Sequence, residues 1–382
     1  YMSFAIGYIA GPFGAIFFGH IGDRKGRKVT MYASLLMMGI STSIIGILPP
    51  AASAGVGVVI VLQLMRLAQC FGRGGTWGGG ILMAYENVPE NKRSFYAAIP
   101  QIGLPIGFGL SSILIAVPTL LLPEDIFFTW GWRIPFLAAI ILTVIVIRQK
   151  GEMMETEDYK KAQAKLEAEE AEGKKHKVGF IPMVKGYWKT LLLGCGTRWV
   201  DGTFYNIFIV WILSYCINWL GMPLIQTYII TIIACIFKIP FTLFGGWCAQ
   251  KLGNTRTFVI GALASAVLSI PTLKVIELSK GNLAITIIGI VLGWSIAYNL
   301  IWAVISSLWS SYFETEVRYS GISFVYHVPS FLVAGMVPTI CTLLINYGKG
   351  DTIYVGIYST VVALISAACA LALKARHDRG EK

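Results

Sequence analysis

The stretch Gly19-His20-Ile21-Gly22-Asp23-Arg24-Lys25-Gly26-Arg27-Lys28 lies between two apolar runs, 2–18 and 29–48. Glycine reaches positive φ without a steric cost, so two glycines among Gly19, Gly22 and Gly26 suit a sharp reversal between two membrane helices. Arg24, Lys25, Arg27 and Lys28 hold that reversal on the cytoplasmic side. Asp23 is an acceptor suited to a neighbouring helix terminus or to an arginine. A basic loop alone marks only a side of the membrane. This spacing between two apolar spans says more.

The rest of the chain agrees with a membrane protein. Of its 382 residues 55% are hydrophobic and 13% charged, with a mean hydropathy of +0.68. Soluble domains carry about 25% charged residues. Eleven apolar spans recur, at 2–18, 29–48, 56–85, 94–117, 133–148, 189–215, 224–245, 257–275, 283–309, 320–345 and 352–373. About 20 residues are needed to cross a hydrocarbon core of about 30 Å. The net charge of +11 does not signal nucleic acid, because 23 of the 31 Lys and Arg fall in alternate loops and the C-terminal tail. That asymmetry places Arg24, Lys92, the long middle loop, Arg256 and Lys382 in the cytoplasm. The seven cysteines form no metal-ligand spacing, and H-E-x-x-H and G-x-S-x-G are absent. No metal, cofactor or catalytic residue is expected, and an enzyme is disfavoured.

The chain is internally repeated. Gly245-Gly246-Trp247-Cys248-Ala249-Gln250-Lys251-Leu252-Gly253-Asn254-Thr255-Arg256 is a degenerate copy of the first loop, Gly246 standing 227 residues after Gly19, with Gln250 in place of the aspartate. Arg93 and Arg318 form a second pair. The expected organisation is an N-terminal bundle over 1–147, a charged, helical linker over 148–188, and a C-terminal bundle with a basic tail over 189–382. The second half has six spans and the first only five, so a helix preceding Tyr1 is expected.

The first loop resembles the signature G-x-x-x-D-R-x-G-R-K of the major facilitator superfamily. Arg66-Leu67-Ala68-Gln69-Cys70-Phe71, Gly74-Gly75-Thr76-Trp77-Gly78-Gly79-Gly80, Glu86 to Tyr96, Trp130 to Phe136 and Arg318-Tyr319-Ser320-Gly321 are similar to its metabolite:proton symporters. Those carry shikimate, oxoglutarate, citrate or proline and betaine. The resemblance implies an all-α, two-bundle membrane fold of six plus six helices, here with eleven spans. It also implies proton-coupled transport of a small metabolite by alternating access in the cytoplasmic membrane, by a monomer. The Gly19–Lys28 loop would then be a conformational motif. Three positions depart from the family pattern: Thr76 replaces a glutamate, Arg73 an apolar residue, and Trp309-Ser310-Ser311-Tyr312-Phe313 stands for Phe-x-Glu-x-Phe.

Charged residues inside spans are costly and mark function. Arg66 and Arg73 are seven residues apart and share a helix face with Gln69 and Trp77. Such a column suits a carboxylate or polyol, because the guanidinium fork matches a carboxylate; a structural ion pair or a snorkelling arginine is the alternative. Gln101, Arg198 and Tyr326 complete the candidate substrate contacts. Asp201, three residues after Arg198, is the candidate proton acceptor, with a purely structural pair as the alternative. His327 is a second coupling candidate, since histidine titrates near neutral pH. Lys238 reads either as an anion contact or as a snorkelling side chain. A carboxylate symporter is therefore expected, with a proline or betaine carrier, a channel or a non-transporting sensor as rivals.

Overall fold

A computed structural model describes residues 2–50, 55–149, 154–171 and 180–381. Among them the regular elements are all helical. The N-terminal half comprises α1 (Met2–Lys25), α2 (Arg27–Ile47), α3 (Val56–Glu86), the short α4 (Arg93–Ala98), α5 (Gly103–Leu121) and α6 (Ile134–Arg148). A linker helix, α7 (Glu157–Ala171), follows. The C-terminal half comprises α8 (Phe180–Asn206), α9 (Leu224–Leu252), α10 (Asn254–Leu278), α11 (Leu283–Ile290), α12 (Asn299–Ser310), α13 (Arg318–His327), α14 (Val337–Tyr347) and α15 (Ile353–Asp378). Among the described residues, ten helical stretches are long and apolar enough to cross a membrane, from Arg27–Ile47 through Ile353–Asp378. The first expected span folds as α1, which carries Pro12 inside it.

The reversal after α1 differs from a two-glycine turn. Gly19 and Gly22 are helical, and the chain reverses at Gly26 alone, with φ 101°. Gly253, 227 residues later, does the same between α9 and α10 with φ 89°. A side chain at either would be strained in that region. Gly19 and Gly22 serve close approach instead, since a Cβ on Gly22 would meet the Tyr319 ring at 2.5 Å and one on Gly19 the Ser320 Cα at 3.0 Å. Spacing within the loop could not distinguish a turn from a helix-to-helix contact.

Helix α8 begins at Phe180, inside the stretch expected to be linker. Phe180, Met183, Val184 and Tyr187 recur at the helical spacing that makes an apolar stripe. Met183 and Tyr187 are buried, and the rings of Phe180 and Tyr187 pack on Phe324 and Phe313 at 5.9 and 5.6 Å. Residues 150–153 and 172–179 of the expected linker lie outside the described residues.

In the first half α1 and α2 pack along α3, and α6 closes against α2; in the second, α8 and α10 pack on α15 and α9 on α12. The halves meet where α1 touches α13, α5 lies along α9, and α4 sits on α9 and α12. Glycines set the tightest crossing. A Cβ on Gly14 would fall inside the Phe71 carbonyl, and one on Gly74 would strike the backbone of Gly14 and Ala15. Backbone cannot rotate away, so Gly14→Ala should lower stability by about 2–3 kcal/mol through overpacking. Thermal melting of the purified variant measures this; an unchanged midpoint would contradict the crossing.

Three π-helical turns occur among the described residues, over Ile207–Trp211, Val291–Ala297 and Phe331–Gly335. Such turns are frequent at functional sites. Each lies within a few residues of the cavity described next.

Candidate functional site

A cavity of ≈ 290 Å³ lies between the halves. From the N-terminal half it is lined by Arg73 and Trp77 of α3, by Pro100 and Gln101, and by Leu104 and Phe108 of α5; α8 supplies Arg198, Asp201, Tyr205 and Asn206. Trp302 of α12, Tyr326 and His327 of α13, Ser330 and Ala334 complete the wall. The sequence candidates Arg73, Trp77, Gln101, Arg198, Asp201, Tyr326 and His327 are thus brought together.

Arg66 and Gln69 are not among the lining residues. Arg66 is exposed, and Gln69 donates to the Thr42 hydroxyl of α2 at 2.6 Å. The buried positions of α3 all lie from Gly72 onward. Only that end of the helix reaches the interface between halves, so a shared face carries Arg73 and Trp77 to the cavity without Arg66.

Arg198 forms an ion pair with Asp201 one turn along α8. Its Nε donates to the Tyr326 carbonyl at 3.3 Å, and its guanidinium lies 4.3 Å from the Tyr326 ring centre. The other face of the aromatic cluster is Trp77, stacked on Tyr326 at 4.0 Å, with Trp309 edge-on to Trp77 at 5.6 Å. Trp309 is fixed by its indole N–H, which donates to Thr197 at 2.8 Å. Asp201 accepts a second hydrogen bond from the Tyr298 hydroxyl. Gln101 and Trp302 lock the halves reciprocally: the Gln101 amide donates to the Trp302 carbonyl and the Trp302 indole to the Gln101 carbonyl, both at 3.0 Å. Trp77 Nε1, Asn206 Oδ1 and His327 Nε2, on cavity-lining residues, have no hydrogen-bond partner among the described residues. Buried polar groups are normally satisfied, so these three stand out from the rest of the wall. Tyr298 and Asn206 gave no signal in the sequence, sitting in apolar surroundings with no motif around them.

Below the cavity, the end carrying the glycine loop is closed by a buried charge network. Asp23 accepts from the backbone N–H groups of Tyr319 and Ser320, at 3.2 and 3.0 Å, capping the N-terminus of α13 across the interface. An acid there also meets the positive end of the helix dipole. Gln250 occupies the equivalent place in the second copy, accepting from the Phe95 N–H of α4 at 3.3 Å. Arg27 donates to Glu86 (3.3 Å), to the Gly22 carbonyl (2.7 Å) and to the Thr315 carbonyl of the other half (2.7 Å). Glu86 also receives Arg318 at 2.9 Å and the Thr156 hydroxyl at 2.7 Å.

The linker joins this network, which the sequence did not disclose. Glu155 accepts from the Arg27 and Lys28 backbone N–H groups at 2.9 and 3.2 Å, capping α2 as its first residues emerge from Gly26. Tyr159 donates to the Arg24 carbonyl at 2.9 Å and lies 4.8 Å below the Arg27 guanidinium. Asp158 bridges Arg93 at 2.6 Å and Arg318 at 3.6 Å. Asp158, in the linker's first turn, is thus shared between both halves. On its exposed side a hydrogen bond from Lys160, at 2.8 Å, holds the Glu157 carboxyl below its usual range.

The comparisons with known proteins agree with this architecture. A family model described as Major Facilitator Superfamily matches residues 2–335. The inner membrane metabolite transport protein YhjE of Escherichia coli K12 is 33% identical over 98% of this chain and 84% of its own length. The shikimate transporter of the same strain is 30% identical over 98% and 84%. The proline/betaine transporter of Salmonella typhimurium LT2 is 27% identical over 99% and 75%. A solved proton:xylose symporter shares the fold with a TM-score of 0.75 at 15% identity, over 96% of this chain and 83% of that one. The protein is a multi-pass membrane transporter and not an enzyme. Matched along most of its length and built as two helical halves around a central cavity, the chain belongs to the Major Facilitator Superfamily.

Proposed function

We propose that the chain is a proton-coupled symporter of a small organic anion, a carboxylate of the size of shikimate or a di- or tricarboxylate. The observation that carries this reading is that Arg73 and Arg198 line one cavity in which Asp201 is the only acid among the described lining residues. Two guanidiniums against one carboxylate leave a positive site, and an arginine fork matches a carboxylate in two hydrogen bonds. The stacked Trp77–Tyr326 pair offers a flat wall for a ring or hydrocarbon body, while Asn206, His327 and Trp77 supply unfilled polar positions for hydroxyl groups.

In this reading the Gly19–Lys28 end faces the cytoplasm, as the basic loops favour. The middle loop and C-terminus lie on that side, and the Asp23, Arg27 and Glu86 network belongs to a state closed there. Asp201 is the coupling group: it takes the proton once Arg198 has turned to the substrate. His327 is the second candidate. Substrate and proton together then shift the population between the two access states. The working unit is the monomer.

A second reading, a proline or betaine carrier, draws on the same aromatic wall, since Trp77, Tyr326 and Trp309 also suit a cation. Titration calorimetry of the purified protein separates the two. Saturable binding of shikimate or oxoglutarate, with none of glycine betaine, supports the anion site; binding of betaine alone overturns it.

A further inference from the structure

Lys238 of α9 is fully buried and does not line the cavity. The snorkelling expectation therefore does not describe it. Its ammonium donates to the Trp294 carbonyl at 3.4 Å, a backbone oxygen of the π-helical turn between α11 and α12. It lies over two aromatic faces, Trp294 at 4.4 Å and Tyr298 at 4.3 Å. No carboxylate lies in ion-pair range of it among the described residues. A buried ammonium without a paired acid is costly, and two ring faces offset only part of that cost.

What stands beyond the Tyr298 ring explains its position. The hydroxyl of that tyrosine donates to Asp201, so Asp201 has Arg198 on one side and, one ring away on the other, the Lys238 charge. The Lys238 backbone is fixed as well, its carbonyl accepting from Asn299 at 2.8 Å and Thr242 at 2.9 Å. The charged and titratable groups facing this knot from the surrounding helices are Arg198, Asp201, Tyr298, Tyr326, Cys235 and Lys238, with Arg73 and His327 across the cavity.

We propose that Lys238 is a specificity-determining positioning residue: it holds a reserve positive charge behind Tyr298 that compensates Asp201 when Arg198 turns to a carboxylate substrate. This rests on the reading of the cavity as an anion site. As the structure stands, Arg198 is engaged by Asp201. A substrate carboxylate that draws the fork away leaves Asp201 a buried anion with one hydroxyl donor, and an uncompensated buried carboxylate is costly. Lys238 supplies the compensation through its field, with no proton passing between it and Asp201, because it meets the ring face of Tyr298 and not its hydroxyl. Neutral ligands do not compete for Arg198 and draw no benefit from it.

The test compares the affinity for shikimate with that for its uncharged methyl ester, by titration of purified wild-type protein, Lys238→Met, Lys238→Arg and Lys238→Met/Asp201→Asn. The wild type should prefer the acid. Lys238→Met should lose about tenfold of that preference, within the range by which neighbouring groups in one network couple. Lys238→Arg should keep it, and the double variant should recover part of it. A role confined to packing would weaken both ligands equally. If the wild type shows no preference for the acid, the anion reading and this inference fall together. If the wild type prefers the acid and folded Lys238→Met keeps the full preference, this inference alone is overturned. Should Lys238→Met not fold, recovery of folding in the double variant supports the coupling of the two charges, and its failure there overturns it.

Discussion

Replacing Arg198 by methionine should weaken carboxylate binding by about 100-fold while leaving an uncharged analogue within a few-fold of wild type. Truncating one member of a buried, hydrogen-bonded charge pair costs about 2–5 kcal/mol in binding. The side chain is 6% exposed, paired with Asp201, anchored to the Tyr326 carbonyl and stacked on its ring, so methionine fills the volume and removes only the charge and the fork. The same change strands Asp201. Breaking a buried pair costs about 3–5 kcal/mol of stability, and the lower figure is expected here because the Tyr298 hydroxyl and the Lys238 charge remain. Arg198→Met/Asp201→Asn should therefore regain thermal stability without regaining carboxylate affinity. Titration and melting on the same samples separate the two effects. An Arg198→Met protein that still binds shikimate at wild-type strength would remove Arg198 from the site.

Glu86→Ala should open the end of the protein that carries the glycine loop. Glu86 is buried and joins Arg27 and Thr156 to Arg318, which lies on the opposite half. Without it, two largely buried guanidiniums lose their shared anion, a loss of about 3–5 kcal/mol. Because Arg318 comes within reach only when the halves are closed, the loss falls on the closed state. About 3 kcal/mol shifts a two-state equilibrium by roughly 100-fold. A single cysteine at Ser320, buried in the closed form, in a background with the seven native cysteines replaced, reports this through its rate of thiol labelling. Faster labelling in Glu86→Ala is expected, with uptake lost. Equal rates in the two proteins would show that the network does not hold this end shut.

The helices were legible in the sequence because lipid imposes length and apolarity on every span, and the loop signature was legible because residue spacing survives without a structure. Asp23 read correctly as a helix-terminus acceptor in kind, but its targets, Tyr319 and Ser320, lie 296 and 297 residues away. Arg66 shared a face with Arg73 by periodicity, yet a helix that reaches the interface with only one end brings only one of the two arginines to the cavity. The linker looked like a solvated charged helix. Its first turn is instead wedged against Arg24, Arg27, Arg93 and Arg318, a fact that charge composition cannot carry because it depends on which guanidiniums the closed halves leave within reach. Tyr298 and Lys238 were hard to read for the same reason: in a membrane protein a single polar residue in an apolar run acquires meaning only from its neighbour on another helix.

The central claim is tested most directly in proteoliposomes with the outside acidified, following labelled shikimate, oxoglutarate, citrate and glycine betaine with and without a protonophore. The account predicts that a carboxylate accumulates above its equilibrium level and that the protonophore abolishes the accumulation. Accumulation of betaine alone, or carboxylate entry that only equilibrates and ignores the pH gradient, would contradict it.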